Sequence, residues 1–168
     1  MTRDEFIAHV DSVLLAPKAI PGIDEPTRFE QGTFRNEHVL KLPIEINGVQ
    51  GQEKMVIAYR PGAYMDYSIS FVCNISVCRL DYDEKGGHTN SITASKFGIP
   101  LTITGPHFHK WEYNKQFLES DAKLIELKNA SEVRGIKSFD SALRWFCNEV
   151  NVHLPHNHSI ELPTEMLL

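Results

Sequence analysis

The chain of 168 residues is 42% hydrophobic and 23% charged, which fits one folded domain with one core and excludes disorder on composition. Its net charge of -5 is uneven: residues 1–84 hold 13 acids against 8 bases, residues 85–168 hold 9 of each, and no acid occurs between Lys85 and Trp111. A duplex-binding surface carries more lysine and arginine than this, so direct nucleic-acid binding is disfavoured.

Asp4, Glu5, His9 and Asp11 interrupt the apolar pattern of residues 1–15. Neither a secretory h-region nor a membrane span tolerates them, so the expected protein is cytoplasmic and without a membrane partner. Thr2, with Glu5 three residues on, caps a predicted helix over 2–15 that carries Phe6, Ile7, Val10, Val13 and Leu14 at helical spacing. The prolines of "APKAIPGIDEP" stop it. Leu40, Leu42, Ile44 and Ile46 then alternate along a strand that Pro43 marks as an edge or a bulge. An Asn-Gly turn leads into "KMVIAYR", completing a hairpin.

After a turn at "PGAYMD", the run "YSISFVCNISVCRLDY" reads as one long central strand with Ile69, Phe71, Ile75 and Val77 on one side. Cys73 and Cys78 then face opposite sides of that strand. With Cys147 they make an odd count without a CxxC pair, predicting reduced thiols and neither a disulfide nor a zinc role. "DEKGGHTN" is turn chemistry, followed by a strand at 91–94 or at "LTITG" and "HFHKWEY". "AKLIEL" is a short strand or helix. Ser138 caps a helix over 138–152 whose stripe is Phe139, Ala142, Leu143, Phe146, Cys147 and Val150. Residues 153–168 read as an extended tail. The predicted fold is a single α+β domain, residues 1–168, with both helices packed on a mainly antiparallel sheet.

The chemistry-bearing stretch is "GPHFHKWEY". On a regular strand His107 and His109 share a face, with Cβ atoms about 7 Å apart. That parity also holds Leu101, Ile103, Trp111 and Tyr113, which would bury the imidazoles on the apolar side. A bulge at Gly105-Pro106 reverses the facing and sends Phe108 inward. Three uses of the pair follow. As metal ligands, His107 and His109 need partners, which the C-terminal "HLPHNH" supplies as His153, His156 or His158, with His156 and His158 favoured. As general acid and base, with Lys110, Lys85 or Lys96 on a phosphate, they suit RNA or phosphoester cleavage. As structural residues, they hydrogen-bond within the sheet and pack on Trp111. No cofactor is expected.

"TGPHFHKWEY" followed by "SFDSALRWFCNEVNV" resembles small uncharacterised proteins of bacteria, prophages and other mobile elements, in which a Gly-Pro-His-x-His strand precedes a helix ending in Phe, Cys and an Asn-Val or Asn-Ile pair. The resemblance covers about the last 70 residues, and this chain lacks the polar and aromatic run that follows the second histidine in those proteins. It implies a mobile-element setting, where small proteins bind and block a host complex such as a CRISPR or other defence assembly. Charge complementarity then makes the partner a basic protein or nucleoprotein surface, with Asp81, Asp83 and Glu84 as contacts. The competing class is a hydrolase acting at His107 and His109.

Overall fold

A computed structural model describes residues 1–62 and 64–163; Ala63, within the expected "PGAYMD" turn, and residues 164–168 of the expected tail lie outside the described residues. Helix α1 spans Arg3–Leu15 and opens with the expected capping box: Thr2 Oγ1 accepts from the Glu5 amide, and the Glu5 carboxylate accepts from the Thr2 amide at 2.7 Å. At its other end the ammonium of Lys18 folds back and donates to the carbonyls of Val13 at 2.5 Å and Ala16 at 2.6 Å. Orphan carbonyls at the helix end thus find a buried donor. Lys18 belongs to strand β1, Lys18–Ala19; β2 follows at Glu30–Gln31.

Strands β3, His38–Ile46, and β4, Val49–Tyr59, form the expected hairpin. Asn47 and Gly48 turn between them, both with φ in the left-handed range, as a tight two-residue hairpin turn demands. The register slips between Pro43 and Glu45, and among the described residues the other side of β3 is paired only at its ends, by β2 at 38–39 and β1 at 45–46, so Pro43 sits beside a bulge where that side has no strand partner.

The run read as one strand is two. β5, Asp66–Cys73, and β6, Ile75–Asp83, fold back on each other, with Asn74 at φ 61° in the turn and Cys73 paired with Ile75. Asparagine is one of the few residues that tolerates the left-handed region, and the apolar alternation continues through it, which hides the reversal from a periodicity argument. Val72 then pairs with Ser76 and Phe71 with Cys78, leaving Val77 as an extra residue in β6. This bulge shifts the buried set of β6 to Cys78, Leu80 and Tyr82. Cys73 and Cys78 therefore lie in one hydrophobic cluster on the same side of the sheet, where opposite sides were expected.

Strand β7, Gly87–Thr89, and strand β8, Thr102–Thr104, make a separate two-stranded ribbon. Between them residues Ile92–Phe97 form a 3-10 helix in place of the alternative strand at 91–94. Strand β9 is only His107–His109; the expected strand through "KWEY" is instead the short helix α2, Trp111–Asn114. "AKLIEL" is neither strand nor helix and contributes one bridge, Leu118 to Ile125. Strand β10 is Ser131–Glu132. Helix α3 spans Phe139–Glu149 behind its Ser138 cap, shorter than the expected 138–152 because the chain turns at Val150 and Asn151 into strand β11, Val152–His153.

The main sheet runs β10-β9-β6-β5-β4-β3-β1-β11, with β2 also on β3. It is antiparallel except where β1 pairs with β11. Helices α1 and α3 and the inward face of the sheet feed one hydrophobic cluster, from Phe6 and Val10 through Phe71 and Leu80 to Leu143 and Phe146. Tyr67 and Phe108 meet α3 edge-on, at 5.2 Å from Phe139 and 5.1 Å from Trp145. The C-terminal segment is held to this body: Ile160 is buried in the cluster and His158 bonds Asp140. Among the described residues no helix is long and apolar enough to cross a membrane.

All three thiols are free and buried, and burial pushes each of them up to about 12. A neutral, enclosed thiol is a poor nucleophile. A colorimetric thiol reagent at pH 8 should therefore find none in the folded protein within minutes and all three in guanidinium. Rapid labelling of the native chain would contradict this packing.

Candidate functional site

With Cys78, Leu80 and Tyr82 turned inward by the bulge, Arg79, Asp81 and Asp83 stand on the opposite face of the sheet, away from the hydrophobic cluster. Strand β9 pairs along this edge with Arg79 opposite His109, Leu80 opposite Phe108 and Asp81 opposite His107. Gly105 takes φ 80° ahead of Pro106, and Phe108 packs inward on Trp145 and Phe146. The reversed facing is the one adopted, so the two imidazoles join Arg79 and Asp81 instead of packing in the apolar core.

One carboxylate oxygen organises the group. Asp81 Oδ2 accepts from Arg79 Nε at 2.9 Å and lies 2.8 Å from Arg79 Nη2, 3.2 Å from His109 Nε2 and 3.6 Å from His107 Nε2. His107 Nδ1 is 2.9 Å from the Gly105 carbonyl and so carries a proton there; in the neutral ring Nε2 holds the lone pair, and in the charged ring it turns a second N–H toward Asp81. His109 is 1% exposed, and its Nδ1 is buried with no hydrogen-bond partner. Burial would raise the Asp81 carboxyl, but both histidines and Arg79 outweigh it and hold the group well below the usual carboxylate range. Burial likewise opposes charging of His107, yet its bonds to Asp81 and Gly105 prevail and raise it above an ordinary histidine. At His109 burial wins and the pKa is lowered.

A third histidine completes the cluster. The β7–β8 ribbon lies over β9 and sets the His88 ring 5.2 Å from that of His107 and 4.7 Å from that of His109; the latter two are 5.2 Å apart. Gly87 permits the close pairing of β7 with β8 that places His88, since a Cβ there would sit 2.8 Å from the Ile103 carbonyl oxygen. His88 Nε2 is 2.9 Å from the Lys128 carbonyl.

That carbonyl is fixed by buried amides. The Asn129 side chain donates to Thr93 Oγ1 and the Tyr113 carbonyl and accepts from the Ser91 amide, and the Asn129 backbone amide donates to Asn114 Oδ1. Asn90 accepts from the Ala130 amide at 2.7 Å and donates to the Pro100 carbonyl at 2.6 Å. These side chains satisfy buried backbone groups in a segment with little regular structure, and thereby hold 128–130 against β7.

The cluster lies at one side of a cleft of about 430 Å³ whose walls include Arg60, Asp66, Ser68 and Asp83. Arg60, half-exposed, pairs with Glu37 at 3.2 Å. Asp66, Asp81 and Asp83 face the two guanidinium groups across this hollow, Arg60 pairing with Asp66 as well as Glu37 and Arg79 with Asp81, and the imidazole nitrogens beside them are groups able to transfer protons.

Of the residues expected to act, His107 and His109 are together here, and Asp81, expected as an outward contact, is turned into them. Asp83 accepts from the Lys85 amide at the rim and Glu84 is exposed beside it. Lys110 lies elsewhere, in a hollow with Asp11, Trp111 and Glu112. Lys96 is exposed on the 3-10 helix, and Lys85 rests over the Tyr64 ring at 3.6 Å. The expected ligand set with His156 and His158 is not assembled: both line a hollow beside Asp140 and α3, and among the described residues the histidines that share one ligand-sized space with His107 and His109 are His88 alone. Sequence reasoning passed over His88 and Arg79. The signal for His88 was its place in the same acid-free interval; its position within turn chemistry masked it. Set against protein-family models, curated proteins and solved structures, the chain finds no match.

Proposed function

We propose that the cleft is a reaction site for phosphoester hydrolysis, making the protein a nuclease or phosphoesterase. The observation that carries this reading is the single Asp81 oxygen serving Arg79, His107 and His109 beside a polar cleft. In the reaction, water adds to phosphorus, the bond to the leaving oxygen breaks, and that oxygen takes up the proton that water gives. Arg60 and Arg79 supply positive charge for the phosphate oxygens, Asp81 fixes the imidazoles, and the imidazole nitrogens act on water. A panel of chromogenic phosphomonoesters and diesters, with single-stranded and duplex oligonucleotides, should reveal turnover. Arg60→Ala should raise KM several-fold with a smaller effect on kcat. The absence of turnover across the panel would sink the reading.

A second reading, an inhibitor that binds a basic host surface such as that of a defence nucleoprotein, is supported by the exposed Glu84 at the rim. Glu84→Lys separates the two: it should weaken a salt-sensitive capture of a basic partner and leave turnover within two-fold.

A further inference from the structure

We infer that His88, His107 and His109 form a three-nitrogen site for one divalent first-row transition ion, with zinc the leading candidate. Each residue offers a ligand atom, and these atoms lie within 4.8 Å of one another. The ring centroids are 4.7 to 5.2 Å apart. Three imidazoles bound at a zinc–nitrogen distance of about 2.0–2.1 Å in tetrahedral directions place their centroids about 5 Å apart, so the rings are already spaced as ligands.

The outer contacts agree. A ligating imidazole hands its other N–H to a carbonyl or carboxylate, which fixes its tautomer and its lone pair. His107 does so through Nδ1 to Gly105, and His88 through Nε2 to Lys128. His109 places Nε2 on Asp81, and its remaining nitrogen, Nδ1, is the buried atom without a partner. An unsatisfied buried nitrogen costs about 1–3 kcal/mol; coordination would satisfy it. Three rings so close cannot all be protonated, because like charges at this spacing repel strongly. Neutral, they present lone pairs to a shared space.

The donor set chooses among ions. Three imidazoles suit zinc, nickel, cobalt or copper, whereas magnesium and calcium require mostly oxygen ligands. With Asp81 held by Arg79, the protein offers three nitrogens, and a fourth position stays open for water or substrate, the arrangement of catalytic zinc sites. The inference rests on the proposed reaction only for what the ion would do; binding stands or falls separately.

Protein stripped with a chelator should be titrated calorimetrically with zinc and optically with cobalt. One equivalent should bind, with micromolar or tighter affinity, and cobalt should give the intense visible absorption of a four-coordinate centre. His88→Ala should weaken binding by at least about 100-fold, while the double change His156→Ala/His158→Ala should leave it unaltered. On the unaltered protein, histidine side-chain NMR should show zinc shifting the His88, His107 and His109 rings, a readout independent of how any variant folds. No stoichiometric binding, or shifts centred on His156 and His158, would overturn the assignment. Zinc binding without turnover would remove the hydrolase reading and keep this one; turnover with no stoichiometric zinc binding would do the reverse.

Discussion

Changing His107 and His109 together to glutamine should lower phosphoester turnover by about 10²-fold or more while leaving the chain folded. Glutamine has similar length and keeps polar contacts to Asp81, so the buried carboxylate and Arg79 retain partners. What it removes is a nitrogen lone pair able to move a proton or bind an ion. Initial rates at saturating and limiting substrate, with a thermal melt as the fold control, check this. A loss within a few fold would place the chemistry elsewhere and return the protein to the binding class, for which these two side chains are dispensable. The two rings lie at the margin of the sheet, on a strand of only three residues. Their position therefore depends on what lies behind β9.

The inward residue of β9, Phe108, packs on α3, so Phe146→Ala should be strongly destabilising. Phe146 has no exposed surface, and its ring meets Phe108 edge-on at a centroid distance of 6.0 Å. Removing a buried phenyl ring loses its transfer free energy and leaves a cavity, together about 3–5 kcal/mol. In a chain of this size that lowers Tm by roughly 10 °C. Urea unfolding followed by circular dichroism measures it. A change below about 1 kcal/mol would mean that α3 does not dock as described. Since Phe108 lies between the two histidines, loosened packing should also reduce turnover below the melting transition.

The parts of this fold legible in the sequence are those written in local free energies. The Thr2 and Ser138 caps, the stripe from Phe139 to Val150 and the Asn47-Gly48 turn each involve residues within a few positions of one another. The histidine pair was visible too, as was the choice that Gly105-Pro106 posed between its two facings. The ligand partners proposed from the chain end were not the ones assembled, because nothing local in "HLPHNH" says that Asp140 and the α3 start will hold it.

By itself, then, the sequence determined an α+β chain with two capped helices, a central hairpin and a pair of histidines at one step of a strand. Tertiary structure alone decided that β5 and β6 separate at Asn74, that the bulge at Val77 turns Arg79 and Asp81 away from the hydrophobic cluster, and that His88 arrives over β9 on a ribbon held by buried asparagines. The physical reason is parity. A one-residue bulge reverses every side chain beyond it, and its cost is set by pairing with distant strands and by the packing of Cys78 and Leu80. No window of neighbouring residues contains those terms, yet they determine which face of β6 meets the histidines.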